Sequence, residues 1–327
     1  MIENLLAYGI WVAVVFIIIG FVALVKGADC LVDGASSIAK RFGISDLVIG
    51  LTVVAFGTSM PEFVVNMVSV GEGSTDLAIT NILGSNIINT LVILGLTALV
   101  FPIVSHKHSR DFDIPMSIIA GVLVFAAVAI HSPFGESGRG IGRFGGIMLL
   151  ILFCYFLYNT FRHAKDHPEE AETVKQMTLC KAVLFILLGF IGLIVGGELI
   201  VKSAVDIATR CGVSEAIIGL TVVALGTSLP ELATSVIAAW KHNSDIALGN
   251  VIGSNIFNVF FVLGTSATIR PLPAYDGIEI DAWIAALGSI VVWLAVKTNK
   301  ERKIQRWAGA LLLLIYAGYL TYRLMSI

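Results

Sequence analysis

An apolar segment that ends in a carboxylate occurs twice in this chain. Residues 50–62 read GLTVVAFGTSMPE, and residues 219–231 read GLTVVALGTSLPE. An ionisable side chain inside a membrane segment is costly, so it is by default a hypothesis for a functional site. The duplication predicts a fold with two equivalent halves, in which each half supplies one glutamate to a shared site.

The composition indicates how such a chain folds. Of its 327 residues, 57% are hydrophobic and only 13% are charged, whereas a soluble domain carries about a quarter charged residues. We therefore predict an all-α integral membrane protein in a lipid bilayer. Because Lys and Arg are scattered between apolar runs, we expect no nucleic acid as a partner. Ten runs are candidates to cross the hydrocarbon: residues 6–41, 45–71, 75–101, 113–131, 141–162, 178–210, 214–241, 244–269, 280–297 and 304–325.

The two halves align without a gap at an offset of 169 residues, so that Asn89 corresponds to Asn258. Each half contains five spans, and five is odd, so the second copy enters the membrane from the opposite side. This predicts two inverted-topology five-helix repeats with the substrate site near the midplane. The predicted divisions are a first repeat at 1–165 with its core motif at 50–95, a short linker at 166–177, and a second repeat at 178–327 with its core motif at 219–264.

The charged loops predict the orientation in the membrane. Most Lys and Arg residues outside the spans follow spans 1, 3, 5, 7 and 9, as Lys40, Lys107 and Lys241 do. Positive charge marks the cytoplasmic face. The linker is therefore expected in the cytoplasm, and both termini are expected to be extracytoplasmic.

Prolines inside spans 2 and 7 predict breaks in these helices. Pro61 lacks an N–H, and its ring clashes with the carbonyl group of Gly57, four residues earlier. A kinked or unwound backbone is therefore expected at residues 55–58, and equally at residues 224–227 before Pro230. Unpaired carbonyl groups at this depth are tolerated only inside protein or beside a wet cavity, where they can bind hard cations.

Small polar side chains accompany each glutamate at helical spacing. Thr58 and Glu62 are four residues apart and share a helical face, as do Ser85 and Asn89, and Ser59 lies beside Thr58. The second half repeats this set with Thr227, Ser228, Glu231, Ser254 and Asn258. An all-oxygen ligand set favours hard cations such as Na⁺ or Ca²⁺ over zinc or copper. One Ca²⁺ or two Na⁺ match the charge of two carboxylates, and competition for one site is the physical basis of exchange.

Other polar residues in the spans have simpler interpretations. Asn86 and Asn255 point away from the Ser and Asn face, so we expect helix-packing hydrogen bonds from them. On the long sixth span, Glu198, Lys202 and Asp206 are spaced four apart and can pair along one helix.

The two motifs together resemble the cation/calcium antiporter superfamily, and specifically its prokaryotic sodium/calcium exchanger branch. The resemblance covers essentially the whole chain, with G-T-S-x-P-E in spans 2 and 7 and G-S-N-I-x-N in spans 3 and 8. It implies a monomeric antiporter, not an enzyme, that exchanges Ca²⁺ for Na⁺ by alternating access in the plasma (inner) membrane of a prokaryote. It implies that the long helices 1 and 6 slide across the core. No cofactor is expected beyond the transported Ca²⁺ and Na⁺, with H⁺ left open.

The resemblance also implies a role for each matching residue. Glu62 and Glu231 would be the central ligands that Ca²⁺ and Na⁺ share, and Thr58 and Thr227 would contribute to the calcium site. Hydroxyl and carbonyl groups would line flanking sodium sites: those of Ser59, Ser85, Ser228 and Ser254, and those of Ala55 and Ala224. Two amides would complete the middle of the site: those of Asn89 and Asn258.

This sequence departs from the family pattern at one position. Well-studied sodium/calcium exchangers pair Asn with Asp where this chain has Asn89 and Asn258. Without a third carboxylate, a proton-driven calcium exchanger on the same fold stays open as the first alternative. An intramembrane protease with two catalytic carboxylates and a channel are the other classes. Glu62 and Glu231 occupy equivalent repeat positions among cation-ligand oxygens, which favours antiport over both.

Overall fold

The computed structural model describes residues 9–129, 139–166, 177–212, 224–275 and 277–325. Within these ranges the chain is helical apart from short loops and four two-residue strands. The helices are α1 (Ile10–Phe42), α2 (Asp46–Thr58), α3 (Met60–Glu72), α4 (Thr75–Val100), α5 (Ser109–Ala129), α6 (Arg143–Asp166), α7 (Leu179–Arg210), α8 (Ala224–Thr227), α9 (Leu229–Trp240), α10 (Ser244–Ile269), α11 (Ile278–Thr298) and α12 (Arg306–Met325). The strands are β1 (Ile103–Val104), β2 (Gly140–Ile141), β3 (Leu272–Pro273) and β4 (Lys303–Ile304).

Eight helices in the described ranges are long and apolar enough to cross a membrane alone: α1, α4, α5, α6, α7, α10, α11 and α12. They coincide with predicted spans 1, 3 to 6 and 8 to 10. Helices α2 and α3, which are bent by 45° relative to each other, together form a ninth candidate span. The start of the predicted seventh span and most of the predicted linker (167–176) lie outside the described residues. The protein is therefore a multi-pass membrane protein.

The two long helices, α1 and α7, lie antiparallel and in close contact. A Cβ atom on Gly27 would stand 2.8 Å from the backbone nitrogen of Leu193, and one on Gly196 would stand 2.7 Å from the carbonyl oxygen of Gly20. Small residues let membrane helices approach in this way. We call this contact between α1 and α7 the glycine seam. Neither glycine can gain a side chain unless the two helices separate.

Helices α4 and α10 form the centre of the bundle. In their most apolar windows 78% and 94% of the residues are buried, against 22% for α1 and 17% for α12. Each central helix contains a π-helical turn, at Ile88–Ile93 and at Phe257–Leu263. Such turns occur frequently at functional sites. Around this centre α12 packs against α4, α6 packs against α10, and α5 packs against α11.

In both copies of the duplicated motif the helix is interrupted at the serine two residues before the proline. Ser59 has φ −85° and ψ 7°, and Ser228 has φ −88° and ψ 4°. Pro61 and Pro230 follow in the first turn of α3 and α9, where the absence of an N–H costs little. The kink predicted for the first copy is confirmed, but its position is later than expected. Residues 55–58 keep a helical turn because the Ser59 N–H donates to the Ala55 carbonyl oxygen.

Short strands connect the loops of the two halves. Strand β1 pairs antiparallel with β4, with Ile103 opposite Ile304. Strand β2 pairs antiparallel with β3, with Ile141 opposite Leu272. Each pair joins one loop from the first half of the chain to one loop from the second half.

Candidate cation-binding site

The two glutamates of the duplicated motif lie in the interior of the protein. Glu62 and Glu231 are both 0% exposed and lie within electrostatic reach of each other. Each occupies the first turn of a helix, α3 or α9, where the partial positive charge of the helix N-terminus favours a carboxylate. That effect is worth about 2 kcal/mol at most, whereas removing an ion from water costs several kcal/mol per ion. Two buried carboxylates therefore require either a bound cation or a proton.

Serine hydroxyl groups from both halves meet these carboxylates. Ser59 donates to Glu231 Oε1 at 2.8 Å, and Ser254 donates to the same oxygen at 3.4 Å. Ser85 donates to Glu62 Oε1 at 3.4 Å. Because Ser59 belongs to the first copy of the motif and Glu231 to the second, the two copies form one cluster of polar groups.

Several buried polar atoms of the predicted site residues make no hydrogen bond within the described part of the chain. They are Oε2 of Glu62 and Glu231, both side-chain polar atoms of Asn89, Oδ1 of Asn258, and the hydroxyl oxygens of Thr227 and Ser228. Each such group loses about 1–3 kcal/mol of solvation without compensation. Nearly all of these atoms are oxygens, which are the ligands that Ca²⁺ takes in proteins. The donor set therefore fits a hard cation.

The predicted carbonyl ligands are placed as follows. Ala55 begins the last turn of α2, and its carbonyl oxygen accepts from the Ser59 N–H at 3.0 Å and from the Thr58 hydroxyl at 3.3 Å. It is therefore not the unpaired carbonyl group expected from the sequence, although a carbonyl oxygen has a second lone pair. Ala224 is the first described residue of α8.

Asparagine residues that the sequence reasoning missed surround the glutamates. Asn66 and Asn81 donate to the carbonyl oxygen of Glu62 at 3.3 and 3.5 Å. Asn250 donates to the carbonyl oxygen of Glu231 at 3.3 Å. The signal was present, because Asn81 and Asn250 are separated by the same 169 residues as the two glutamates.

A second group of amides crosses the interface between α4 and α10. Asn86 donates to the Asn255 carbonyl oxygen at 3.2 Å, and Asn255 donates to the Thr90 hydroxyl at 2.7 Å. These are the helix-packing hydrogen bonds expected of Asn86 and Asn255. Asn258 also donates to Asn86 Oδ1 at 3.1 Å. The packing amides therefore hold one predicted site residue in place.

A cavity of about 520 Å³ is lined by residues of both copies of the motif, among them Pro61 and Pro230. Gly226, Thr227 and Pro230 lie on one wall, and Glu198 and Lys202 of α7 lie on another. Glu198 and Lys202 pair with each other at 2.8 Å, as their spacing predicted. The cavity therefore adjoins one predicted ligand, Thr227, on the side of α7.

The sequence profile of the "Sodium/calcium exchanger protein" family matches residues 12–162 and 181–325. The chain belongs to the sodium/calcium exchanger family. It is therefore a transporter of the cation/calcium exchanger class and not an enzyme, and the protease alternative is wrong.

Relatives of this sodium/calcium exchanger family member cover most of its length. The sodium/calcium exchanger MaX1 of Methanosarcina acetivorans is 31% identical over 93% of this chain and 96% of its own. The inner membrane protein YrbG of Escherichia coli K12 is 38% identical over 79% of this chain and 80% of its own. The solved sodium-calcium exchanger NCX_Mj superposes with a TM-score of 0.82 at 32% identity, covering 96% of this chain and 99% of that one. The chain thus shares the fold of a solved exchanger.

Proposed function

We propose that this protein is a secondary active antiporter that exchanges Ca²⁺ for Na⁺ by alternating access, with Glu62 and Glu231 as the central ligands of both ions. One observation carries the proposal: two fully buried carboxylates from equivalent positions meet in one cluster, each with one oxygen that lacks a hydrogen bond in the described structure. Carboxylates without countercharge are costly to bury. Once Ca²⁺ has left, the empty site should therefore need a replacement cation before it can return across the membrane. This requirement makes transport an exchange.

The remaining proposed ligands are the residues that the sequence motifs place beside the two glutamates. Thr58 and Thr227 complete the calcium site, and Asn89 and Asn258 complete its middle. The flanking sodium sites use four serines and two backbone carbonyl groups: Ser59, Ser85, Ser228, Ser254, Ala55 and Ala224. The hydrogen bonds of Ser59, Ser85 and Ser254 to the glutamates support this assignment, because they place these hydroxyl oxygens beside the carboxylate oxygens that would bind the same ions. Its relatives include NCX_Mj, which was soaked with Na⁺, Ca²⁺ and Sr²⁺.

Ten spans in two inverted five-helix repeats form the proposed architecture, with repeats at 1–165 and 178–327 and the linker between them in the cytoplasm. Three observations support it. The equivalent helices α1 and α7 run antiparallel. The β1–β4 pair joins the loop after span 3 to the loop after span 9, and the β2–β3 pair joins the loops after spans 4 and 8. Odd loops therefore meet odd loops, and even loops meet even loops.

The proposed location is the plasma membrane of a prokaryote, with both termini outside and the protein acting as a monomer. The positive loops support this orientation, and YrbG is an inner membrane protein in Escherichia coli. In this orientation the cavity beside Thr227 opens to the outside, because α7 runs outward towards Arg210.

Calcium uptake into proteoliposomes tests the proposal directly. Purified protein is reconstituted with Na⁺ inside, and ⁴⁵Ca²⁺ uptake is followed after dilution into Na⁺-free buffer, with a parallel set of vesicles carrying only a proton gradient. We expect uptake driven by the Na⁺ gradient. We expect Glu62→Gln and Glu231→Gln each to reduce it at least about a hundredfold, because one buried charge that binds the ion is lost.

The matched control is Glu198→Gln, which removes a carboxylate from the cavity wall outside the central cluster and should retain uptake within about twofold, as for an exposed charge. Ca²⁺ uptake driven by the proton gradient alone would show that the counter-ion is H⁺ and not Na⁺. This alternative has support from Asn89 and Asn258, which leave the cluster two carboxylates rather than three. Full uptake in either central Gln variant would refute the site.

A further inference from the structure

Asn250 connects the two copies of the duplicated motif although it belongs to neither. It lies on the central helix α10 and is 0% exposed. Its side-chain nitrogen donates to the Glu231 carbonyl oxygen at 3.3 Å and to the Ser235 hydroxyl at 2.9 Å. Its side-chain oxygen accepts from the Thr58 hydroxyl at 3.0 Å. One side chain therefore holds the backbone of one glutamate and the threonine of the opposite half.

The chemistry of these partners fixes the direction of each hydrogen bond. A backbone carbonyl oxygen can only accept, so the Asn250 amide group must point its NH₂ at Glu231. Its oxygen must then face Thr58, and Thr58 must donate. The single Thr58 proton is thereby directed at Asn250 Oδ1, and the lone pairs of the hydroxyl oxygen are left available for a cation.

Asn250 also protects a second predicted ligand. The Ala55 carbonyl oxygen, at 3.3 Å, is the other acceptor within reach of the Thr58 hydroxyl. Without Asn250, the proton of Thr58 would be donated to Ala55 alone. One lone pair of that carbonyl oxygen already accepts from the Ser59 N–H, so the hydroxyl would then take the lone pair that a cation needs.

We propose that Asn250 is a positioning residue of the cation site, which orients the Thr58 hydroxyl so that its lone pairs face the bound Ca²⁺ and one lone pair of the Ala55 carbonyl oxygen stays free for the flanking Na⁺. The inference rests on the proposed function, since it assigns a purpose to the orientation of Thr58 only if this oxygen binds Ca²⁺. Asn250 itself does not contact the ion. Asn250 would affect Ca²⁺ binding only by orienting Thr58. A residue that merely fills space would have no such dependence on Thr58.

A double-mutant cycle between Asn250 and Thr58 tests this. Asn250→Ala, Thr58→Val and the double variant are compared with the unmodified protein by calorimetric Ca²⁺ binding in detergent and by Na⁺-driven Ca²⁺ uptake in vesicles. Each single substitution should weaken Ca²⁺ binding and raise the KM for Ca²⁺ about tenfold, with kcat within about twofold, which is the range for one hydrogen bond or ligand. The double variant should be no weaker than the weaker single variant.

Two further variants separate orientation of Thr58 from general packing. Thr58→Ser keeps the hydroxyl group, so Asn250→Ala should still cost about tenfold in that background. Ser235→Ala removes another partner of Asn250 without touching Thr58, and should change the KM for Ca²⁺ less than about twofold. If Asn250→Ala leaves a destabilising cavity, Asn250→Leu fills it and removes the same hydrogen bonds.

The outcomes distinguish this inference from the proposed function. Additive losses, about a hundredfold in the double variant, would overturn the role of Asn250 while Ca²⁺ exchange by the unmodified protein still stood. A loss in kcat with an unchanged KM would do the same. Absence of both Ca²⁺ binding and Ca²⁺ uptake in the unmodified protein would overturn the proposed function, and the inference with it.

Discussion

The two copies of G-T-S-x-P-E have the same polar residues but different environments. In the first copy, Thr58 donates to Asn250 and Ser59 donates to Glu231, so both hydroxyl groups are bonded across to the second half. In the second copy, Thr227 lies beside Glu62, and the hydroxyl group of Ser228 has no hydrogen-bond partner within the described ranges. One sequence thus adopts two sets of contacts in the same molecule.

The long helices beside these copies, α1 and α7, also differ in what packs against them. Gly197 of α7 and Ala28, at the equivalent position of α1, are both buried, but Gly197 also lines the cavity. Helix α1 packs directly on α9, while the cavity lies between α7 and α3. The difference is therefore one of packing beside the motif. We call the side where α9 covers α1 the closed side and the side where the cavity adjoins α7 the open side. A second cavity of about 990 Å³, lined by Asp33 and Lys241, adjoins the closed side.

The largest expected effect concerns access to these two helix positions. Gly197→Cys and Ala28→Cys are made separately in a background without the native cysteines, and their reaction with a hydrophilic thiol reagent is timed in detergent. Cys at position 197 should react roughly a hundredfold faster, because a site that is open about 1% of the time reacts in proportion to that population. An added Cβ at Gly197 meets no atom closer than 4.0 Å, so this variant should fold.

Exchange activity is the control for this comparison, because it shows that both Cys variants are folded. During exchange in excess Ca²⁺ and Na⁺, the reaction rates at positions 197 and 28 should become more similar if the two paths open in turn. Equal rates in the resting protein would mean that the cavity does not distinguish the two sides, and the comparison would fail.

A smaller effect is expected from the ion pairs on the closed side. Lys241, at the end of α9, contacts Asp29 Oδ1 and Asp33 Oδ1 of α1, each at 2.6 Å. Partial burial lowers the pKa of Lys241, but the hydrogen bonds to these aspartates outweigh it and raise the pKa above its ordinary value. The ammonium therefore stays charged at neutral pH and loses this stabilising pairing only in alkali. Lys241→Ala should speed the reaction of the Cys at position 28 about fivefold, in the range for partly exposed ion pairs.

Two controls sharpen the result for Lys241. Lys241→Arg keeps the charge and should leave the rate within about twofold of that in the parent, and high salt should reduce the difference between Lys and Ala. Lys202→Ala lies on the side of the cavity, where Lys202 pairs with Glu198, and should not change the reactivity of position 28. An equal acceleration by Lys202→Ala would contradict a specific role for Lys241.

The smallest expected effect compares the two motif serines in protein prepared without Ca²⁺ or Na⁺. Ser59→Ala removes a 2.8 Å hydrogen bond to Glu231, and such a bond to a charged group contributes about 1.5–3 kcal/mol. The apparent Tm should fall by a few degrees. Ser228→Ala removes a hydroxyl group without such a bond, so its Tm should stay within about one degree of the parent. Equal losses of Tm would remove the distinction between the two copies.

Much of the fold could be predicted because it depends on short-range features of the sequence. Apolar runs of membrane length gave the spans, and Pro61 gave the bend, because a residue without an N–H cannot continue a helical hydrogen-bond pattern. The duplicated glutamates predicted a shared cluster. Asn250 escaped notice because its position within α10 suggested packing, and only its contacts with Thr58 and Glu231 reveal more.

The difference between the two halves could not be predicted in this way. Thr58 and Thr227 have nearly identical neighbours in sequence, so no local pattern separates them. Their environments depend on which long helix packs against which half, and this is a property of the whole bundle in one state. Two conformations of a transporter differ in free energy by only a few kcal/mol. The types of single residues in a sequence do not determine which of two such conformations is more stable.

The glycine seam between α1 and α7 has a mechanical consequence. Gly20, Gly27 and Gly196 bring the two backbones so close that one helix cannot shift along the core without carrying the other. If these helices cover the two paths to the glutamates, both paths share a single moving part. Movement that uncovers one path then covers the other, so an ion leak through both at once would require the seam itself to separate.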